Sequence, residues 1–163
     1  MLLVRHAGAK FLFVGDAESE RDKLCGDSEI QSLLDFYAAG SLLDVDLYKV
    51  GHHGSHNGTT RGFLREMTPR MSVISAGDTE TREPDGFHAF QHGHPRQSVV
   101  EDIVELTEGS RDPKSVKVMS GSGNFGGKPV TVKMTKAVYC TCWDGDVVVT
   151  ADSNGELSTE VSQ

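Results

Sequence analysis

Hydrophobic and polar positions alternate along the chain in two rhythms, one of period two and one of period 3.6. Residues 1–6 alternate weakly, and Lys10-Phe11-Leu12-Phe13-Val14 is apolar on both faces, so the two segments read as a strand hairpin turned at Ala7-Gly8-Ala9 and ended by Gly15-Asp16. Residues 17–27 are polar and acidic and read as a surface loop. Ser28 with Gln31 forms a capping-box pattern, and Ile30, Leu33, Leu34 and Tyr37 then predict a helix that stops at Gly40. Residues 45–50 predict a short strand that delivers the loop Gly51-His52-His53-Gly54-Ser55-His56. Thr59 or Thr60 can cap a second helix with Phe63, Leu64 and Met67 as its apolar stripe, ended by Pro69. Residues 71–76 read as a buried strand closed by Gly77-Asp78, and 79–94 as a long polar loop. Pro95 suits the first turn of a third helix, with Val99, Val100, Ile103 and Val104 on its core face and Gly109 at its exit. Strands follow at 115–119, 130–134 and 137–142. Asp144-Gly145 and Asn154-Gly155 read as hairpin turns joining 146–150 and 156–161.

Strands and helices alternate over the first two-thirds, which predicts a layered α/β (α+β) fold. The whole chain, 1–163, reads as one domain, with 136–163 as its C-terminal strand and hairpin region. Functional loops are expected where the strands end.

Composition changes this picture in three ways. Sixteen basic against 24 acidic residues give a net charge of −8, which argues against non-specific binding to nucleic acid or an anionic membrane. An enzyme that holds phosphate through metal ions is not excluded. No apolar run approaches the roughly 18 residues of a spanning helix, and no charged-then-apolar leader is seen, so a cytoplasmic protein without membrane contact is expected. The three cysteines, Cys25, Cys140 and Cys142, form no disulfide framework. Cys140 and Cys142 would share one face of a strand and make a poor bridge, which suggests structural thiols in a reducing compartment.

Glycine and histidine gather at strand ends, and there the candidate chemistry lies. Asp16 follows a buried strand and a glycine, so its carboxylate emerges at the sheet edge, where it can bridge two cations or simply close a turn. His52 and His53 sit between glycines at another strand end; adjacent imidazoles point apart, so one is a candidate metal ligand and the other its neighbour, or the loop is merely exposed. His94, before Pro95, is expected at a helix N-terminus, where the dipole disfavours imidazolium and attracts anions; it can bind substrate, protonate a leaving group, or act as a cap. His88 and His92 read as solvated and His6 as a structural mid-strand residue. Gly121-x-Gly123-x-x-Gly126 matches a dinucleotide fingerprint as text, but a strand rather than a helix is predicted after it. Gly127-Lys128-Pro129 likewise lacks the partners of a phosphate loop.

The segments Phe11–Glu18, Asp46–Ser55, Pro69–Asp78, Gly93-His94-Pro95 and Val138–Val149, in that order, resemble the metallo-β-lactamase fold, in the branch of hydrolases like the soluble domain of the competence protein ComEC. The resemblance implies half of an αββα sandwich and a two-metal site for zinc, with manganese as an alternative. It implies Asp16 as the bridging carboxylate and His52 as the histidine ligand, with His53 taking that place if the register is one residue off. His94 and His53 become the candidate catalytic side chains, and Ser55 and His94 the substrate-binding ones, Ser55 by shaping the His-His loop. The implied reaction is hydrolysis, with phosphodiesters or nucleic acid as the expected substrates.

The family's main metal motif, His-x-His-x-Asp-His, precedes the Gly-Asp segment, whereas only His6 occurs in the fifteen residues before Asp16. The chain therefore resembles the C-terminal portion of that domain, with a metal site left incomplete or empty. A homodimer or a partner chain supplying the missing half is expected. The alternatives are a catalytically inactive interaction or regulatory module, and a metal-binding module that uses Asp16, His52 and His94 alone.

Overall fold

In the computed structural model, described over residues 1–19, 29–37, 43–77, 88–121 and 127–163, five strands form a mixed sheet. β1 (Leu2–His6) and β2 (Ala9–Phe13) make the expected antiparallel hairpin, and β3 (Leu47–Lys49), β4 (Met71–Ile74) and β7 (Val138–Cys140) continue it in parallel. The order is β1-β2-β3-β4-β7. β5 (Ser110–Met119) and β6 (Pro129–Lys136) form a separate antiparallel ribbon, as do β8 (Val147–Ala151) and β9 (Leu157–Val161). Among the described residues there are four α-helices, α1 (Glu29–Tyr37), α2 (Arg61–Met67), α3 (Gln97–Leu106) and the single turn α4 (Thr141–Asp144). The predicted mixed α/β class is the observed one. Among the described residues no helix is long and apolar enough to cross a membrane.

Register explains the two faces of the sheet. Leu12, Tyr48, Ser72 and Val138 form one cross-strand row. It faces α1, α2, α3 and the inner side of the β5–β6 ribbon, where Ile30, Phe63, Leu64, Ile103, Val118 and Met134 are buried. Phe11, Leu47 and Met71 form the opposite row, covered by Val149 and Leu157 of the β8–β9 ribbon. Phe13 was expected to be buried, yet it is 40% exposed, paired with Leu2, which is exposed as well. α2 forms where the Thr60 hydroxyl accepts the Phe63 N–H at 3.1 Å. Arg61 ties α2 to Asp102 and Glu105 of α3.

Several expectations are corrected. β3 is shorter than 45–50, and β5 is longer than 115–119 because it continues past Pro113, where the pairing register shifts. His6 ends β1 and is exposed rather than lying mid-strand. The third helix starts at Gln97, not Pro95, since Arg96 is extended (ψ 135°) and its N–H is drawn to Gly54 O at 2.9 Å. The 137–142 strand stops at Cys140, where the chain turns into α4. That turn takes Cys140 and Cys142 off a common strand face, and at a Cα separation of 5.1 Å they are disulfide-bonded rather than free thiols. Asp144-Gly145 does not join a hairpin: Asp144 is fully buried at the end of α4, while Asn154-Gly155 turns β8 into β9 as predicted. Ser28, Gly40, Asp78, Cys25 and the centre of the glycine-rich segment lie outside the described residues.

Candidate functional site

Three loops meet at the C-terminal ends of β2 and β3. Gly15 turns the chain with φ 63°, which a side chain rarely adopts, and the His52 N–H donates to its carbonyl at 3.0 Å. Ser19 N–H donates to Asn57 O at 2.7 Å, and Arg96 N–H to Gly54 O. Backbone hydrogen bonds thus lock the Asp16 loop, the His-His loop and the His94 loop together, independently of their side chains.

The His-His loop is itself a strained 3₁₀ turn. His52 (φ 43°, ψ 47°) and His53 (φ 54°, ψ 23°) are consecutive left-handed non-glycine residues, a combination that persists only where the surroundings impose it. The surroundings here are Tyr48 and two glycines. The fully buried Tyr48 hydroxyl accepts the Gly51 N–H at 3.2 Å and bonds the Thr59 hydroxyl at 2.8 Å. Burial pushes that phenol up to about 12, against the pull of Thr59 and Gly51. Gly51 and Gly58 pack backbone to backbone, so neither has room for a Cβ.

The result is a triangle of imidazoles with ring centres 5.7 Å (His52–His94), 6.3 Å (His52–His53) and 6.5 Å (His53–His94) apart. His53 Nδ1 lies 2.7 Å from Ser75 O, so Nδ1 carries the proton and donates it. Its Nε2, left as the acceptor, faces Asp16 Oδ1 at 4.0 Å. His52 Nδ1 lies 3.1 Å from Glu18 Oε1 at an angle that makes no hydrogen bond. His94 Nδ1 is buried without a hydrogen-bond partner. His53 and His94 line a cavity of about 260 Å³ together with Ala76, Gly77, Ala89 and His92.

His92 is exposed, as expected of a solvated residue, and also lies on this cavity; His88, expected to be solvated too, is half-buried, with its Nδ1 buried. The signal available for His92 was its spacing of two from His94. Lys49, at the end of β3, was also missed: burial lowers the pKa of its ammonium, and nearby Asp16 opposes that. Ser55 is buried and its hydroxyl donates to Asn57 Oδ1 at 2.7 Å, inside the loop rather than into the cavity. Thr141 holds the cavity wall from outside, donating to Ala76 O at 2.6 Å and accepting from Ala76 N at 3.0 Å.

His94 was expected to be kept neutral by a helix dipole. It precedes the helix by too far, and other causes act: burial first, then repulsion from His52, His53, Arg96 and His92, bring its pKa down to about 4. The unfolded chain therefore binds this proton more tightly than the folded one. The stability His94 contributes is full above its ordinary value of 6.5 and drains as pH falls toward 4. An NMR titration is expected to show His94 neutral down to about pH 4, and urea melts of His94→Gln are expected to lose stability less steeply across that window. A His94 midpoint near 6.5 would refute this.

The donors suit zinc by chemistry, imidazole and carboxylate. Their number does not: among the described residues no three His, Cys, Asp or Glu side chains gather so as to hold one ion. Asp16 and His53 by themselves fall short of the three protein ligands of a catalytic zinc.

Over 101 residues the chain is 28% identical to ComE operon protein 3 of Bacillus subtilis, an alignment that covers 62% of this chain and 10% of that protein. Over 104 residues it is 25% identical to Recombination protein 2 of Haemophilus influenzae, covering 64% and 12% respectively. The matched region is about a tenth of the length of these curated relatives. Both are distant homologues, and they support the link to competence proteins that the motif order implies. No family model and no solved structure matches the chain.

Proposed function

We propose that the chain supplies part of a hydrolytic site for phosphodiesters, of the metallo-β-lactamase kind, whose metal ligands are completed by residues other than those described. Asp16 and His53 are its contribution to the ligand set, His53 taking precedence over His52. The observation that carries the reading is the approach of His53 Nε2 to Asp16 with the opposite nitrogen fixed by Ser75 O. A ligating imidazole is ordinarily held in this way, with its second N–H on a carbonyl, which sets tautomer and ring direction. His94, uncharged at neutral pH, would accept a proton or donate a hydrogen bond to a substrate oxygen; it holds no spare proton for a leaving group until an anion beside it raises its pKa.

One observation favours a second reading, an interaction module without catalysis: the absence of a third donor among the described residues. Elemental analysis after purification with zinc and manganese, followed by dialysis, separates the two. The hydrolase reading expects bound metal that Asp16→Ala combined with His53→Ala removes, together with at least a 100-fold loss of hydrolysis of a chromogenic phosphodiester. Metal near zero in the parent chain and its oligomers would support the module, and unchanged uptake in the double variant would refute the assignment of these ligands.

A further inference from the structure

The charge of −8 is unevenly placed. Residues 110–136, the β5–β6 ribbon with its connection, hold six of the 16 basic side chains (Arg111, Lys114, Lys117, Lys128, Lys133 and Lys136) and one of the 24 acidic ones, Asp112. The ribbon is therefore +5 and the rest of the chain −13. Arg111 and Lys114 are engaged by buried Asp144, and Lys136 reaches Glu108 O. Lys128 and Lys133 are exposed, and so is Lys117, which has a partner of its own.

Register gives Lys117 and Lys133 a common side and leaves Lys128 just outside the paired strands, opposite Ser120. Ser115 pairs with Lys133 and Lys117 with Thr131, all exposed, while Val116, Val118 and Met134 point into the core. Lys117 and Lys133 are diagonal neighbours, about 7–8 Å apart. Lys128 lies beyond Pro129, about 10 Å from the Lys117–Thr131 pair at the rise of a strand. Ser115 stands opposite Lys133 and Thr131 opposite Lys117, so hydroxyl donors lie beside both cations, with Thr135 two residues further along β6. The ribbon's loop end is joined to the site: Met119 N–H donates to Pro95 O at 3.0 Å, and Arg96 Nη1 to Ser120 O at 2.8 Å, immediately after His94.

We propose that the β5–β6 ribbon is a track for the phosphate backbone of a nucleic-acid strand, leading it toward the His94 side of the cavity. Spaced cations with interleaved hydroxyls suit phosphates, which are met by Lys, Ser and Thr alike. Among the described residues the outward face of the paired strands (Ser115, Lys117, Pro129, Thr131, Lys133, Thr135) bears no large apolar side chain, whereas a membrane-surface element buries one. An acidic peptide would match the charge but brings no phosphodiester to the cavity. The direction of the strand and its preference over an acidic peptide rest on the hydrolase reading; the capacity of the ribbon to bind phosphates does not.

The test is fluorescence anisotropy of a labelled oligothymidylate with the whole chain in EDTA, between about 50 and 200 mM salt. Three phosphate contacts predict a log–log salt slope of about −2. Lys117→Gln, Lys128→Gln and Lys133→Gln combined are expected to weaken binding at least tenfold and flatten the slope, with an unchanged melting curve. Arg65→Gln, an exposed change on α2, is expected to leave binding intact. The proposal is overturned if the triple variant binds like its parent, if the parent shows no binding, or if polyglutamate or vesicles of phosphatidylserine and phosphatidylcholine bind as tightly. Retained oligonucleotide binding by a chain that takes up no metal would sink the hydrolase reading and leave the track standing.

Discussion

Asp144→Ala is expected to lower the stability of the folded chain by about 3–5 kcal/mol. The carboxylate is fully buried and four hydrogen bonds converge on it: two from Arg111 at 2.8 and 3.0 Å, one from Lys114 at 3.0 Å and one from the Cys140 N–H at 3.0 Å. Removing it strands a guanidinium whose side chain is 9% exposed, and an unpaired buried charge costs more than the pair contributes. Burial alone would raise the pKa of Asp144; the bonds from Arg111, Cys140 and Lys114 outweigh it and hold the carboxyl below its ordinary value. The unfolded chain thus binds this proton more tightly. The stabilisation is complete above the unfolded pKa near 4 and disappears as pH falls through the lower folded one. Urea melts at neutral and acid pH measure both effects: the variant is expected to be weaker at pH 7 and to lose less on acidification. A loss below about 1 kcal/mol at pH 7 would place this cluster among ordinary surface ion pairs.

Gly51→Ala is expected to disrupt the candidate site. A Cβ at Gly51 would lie 2.4 Å from Gly58 O and 2.9 Å from Val14 Cγ2, and the first of these is backbone that cannot swing aside. Overpacking of this kind costs about 1–3 kcal/mol. The larger effect is local, because Gly51 gives the Tyr48 hydroxyl its N–H and opens the turn that holds His52 and His53. The His94 pKa is expected to rise from about 4 toward 6.5 as its burial is relieved and the imidazoles separate, read by NMR. Gly62→Ala, inside α2 with nothing closer than 3.9 Å, is expected to do the opposite and stabilise by about 0.5–1 kcal/mol. Equal behaviour of the two variants would show that the contact between Gly51 and Gly58 is not a constraint.

The strands and helices that depend on local periodicity were readable in the sequence. Ile30, Leu33, Leu34 and Tyr37 marked α1, Thr59 or Thr60 the start of α2, and 115–119 and 130–134 read as strands, though not as partners in a separate ribbon. The errors share a cause. Pro95 carries the signature of a helix start, but a hydrogen bond to Gly54, 42 positions away, holds Arg96 extended and moves the start two residues on. Asp144-Gly145 has the composition of a turn, but Arg111 and Lys114 claim the aspartate from another strand. At the site, the residue types Asp16, His52, His53 and His94 were evident. Their spacing was not, because it depends on Tyr48, a side chain that reads as simple core. Net charge is also a coarse reading: the value of −8 is the sum of +5 over residues 110–136 and −13 over the rest.

Thr141 has a consequence for how this sheet can vary. Its one hydroxyl gives and receives at Ala76, as a whole residue of a neighbouring strand would. The pleated ladder is in effect extended by a side chain after β4 and β7 have parted. Valine has the shape of threonine and none of this capacity, so a substitution that any volume-based comparison would rate as conservative would unzip the sheet beside Ser75, on which the orientation of His53 depends.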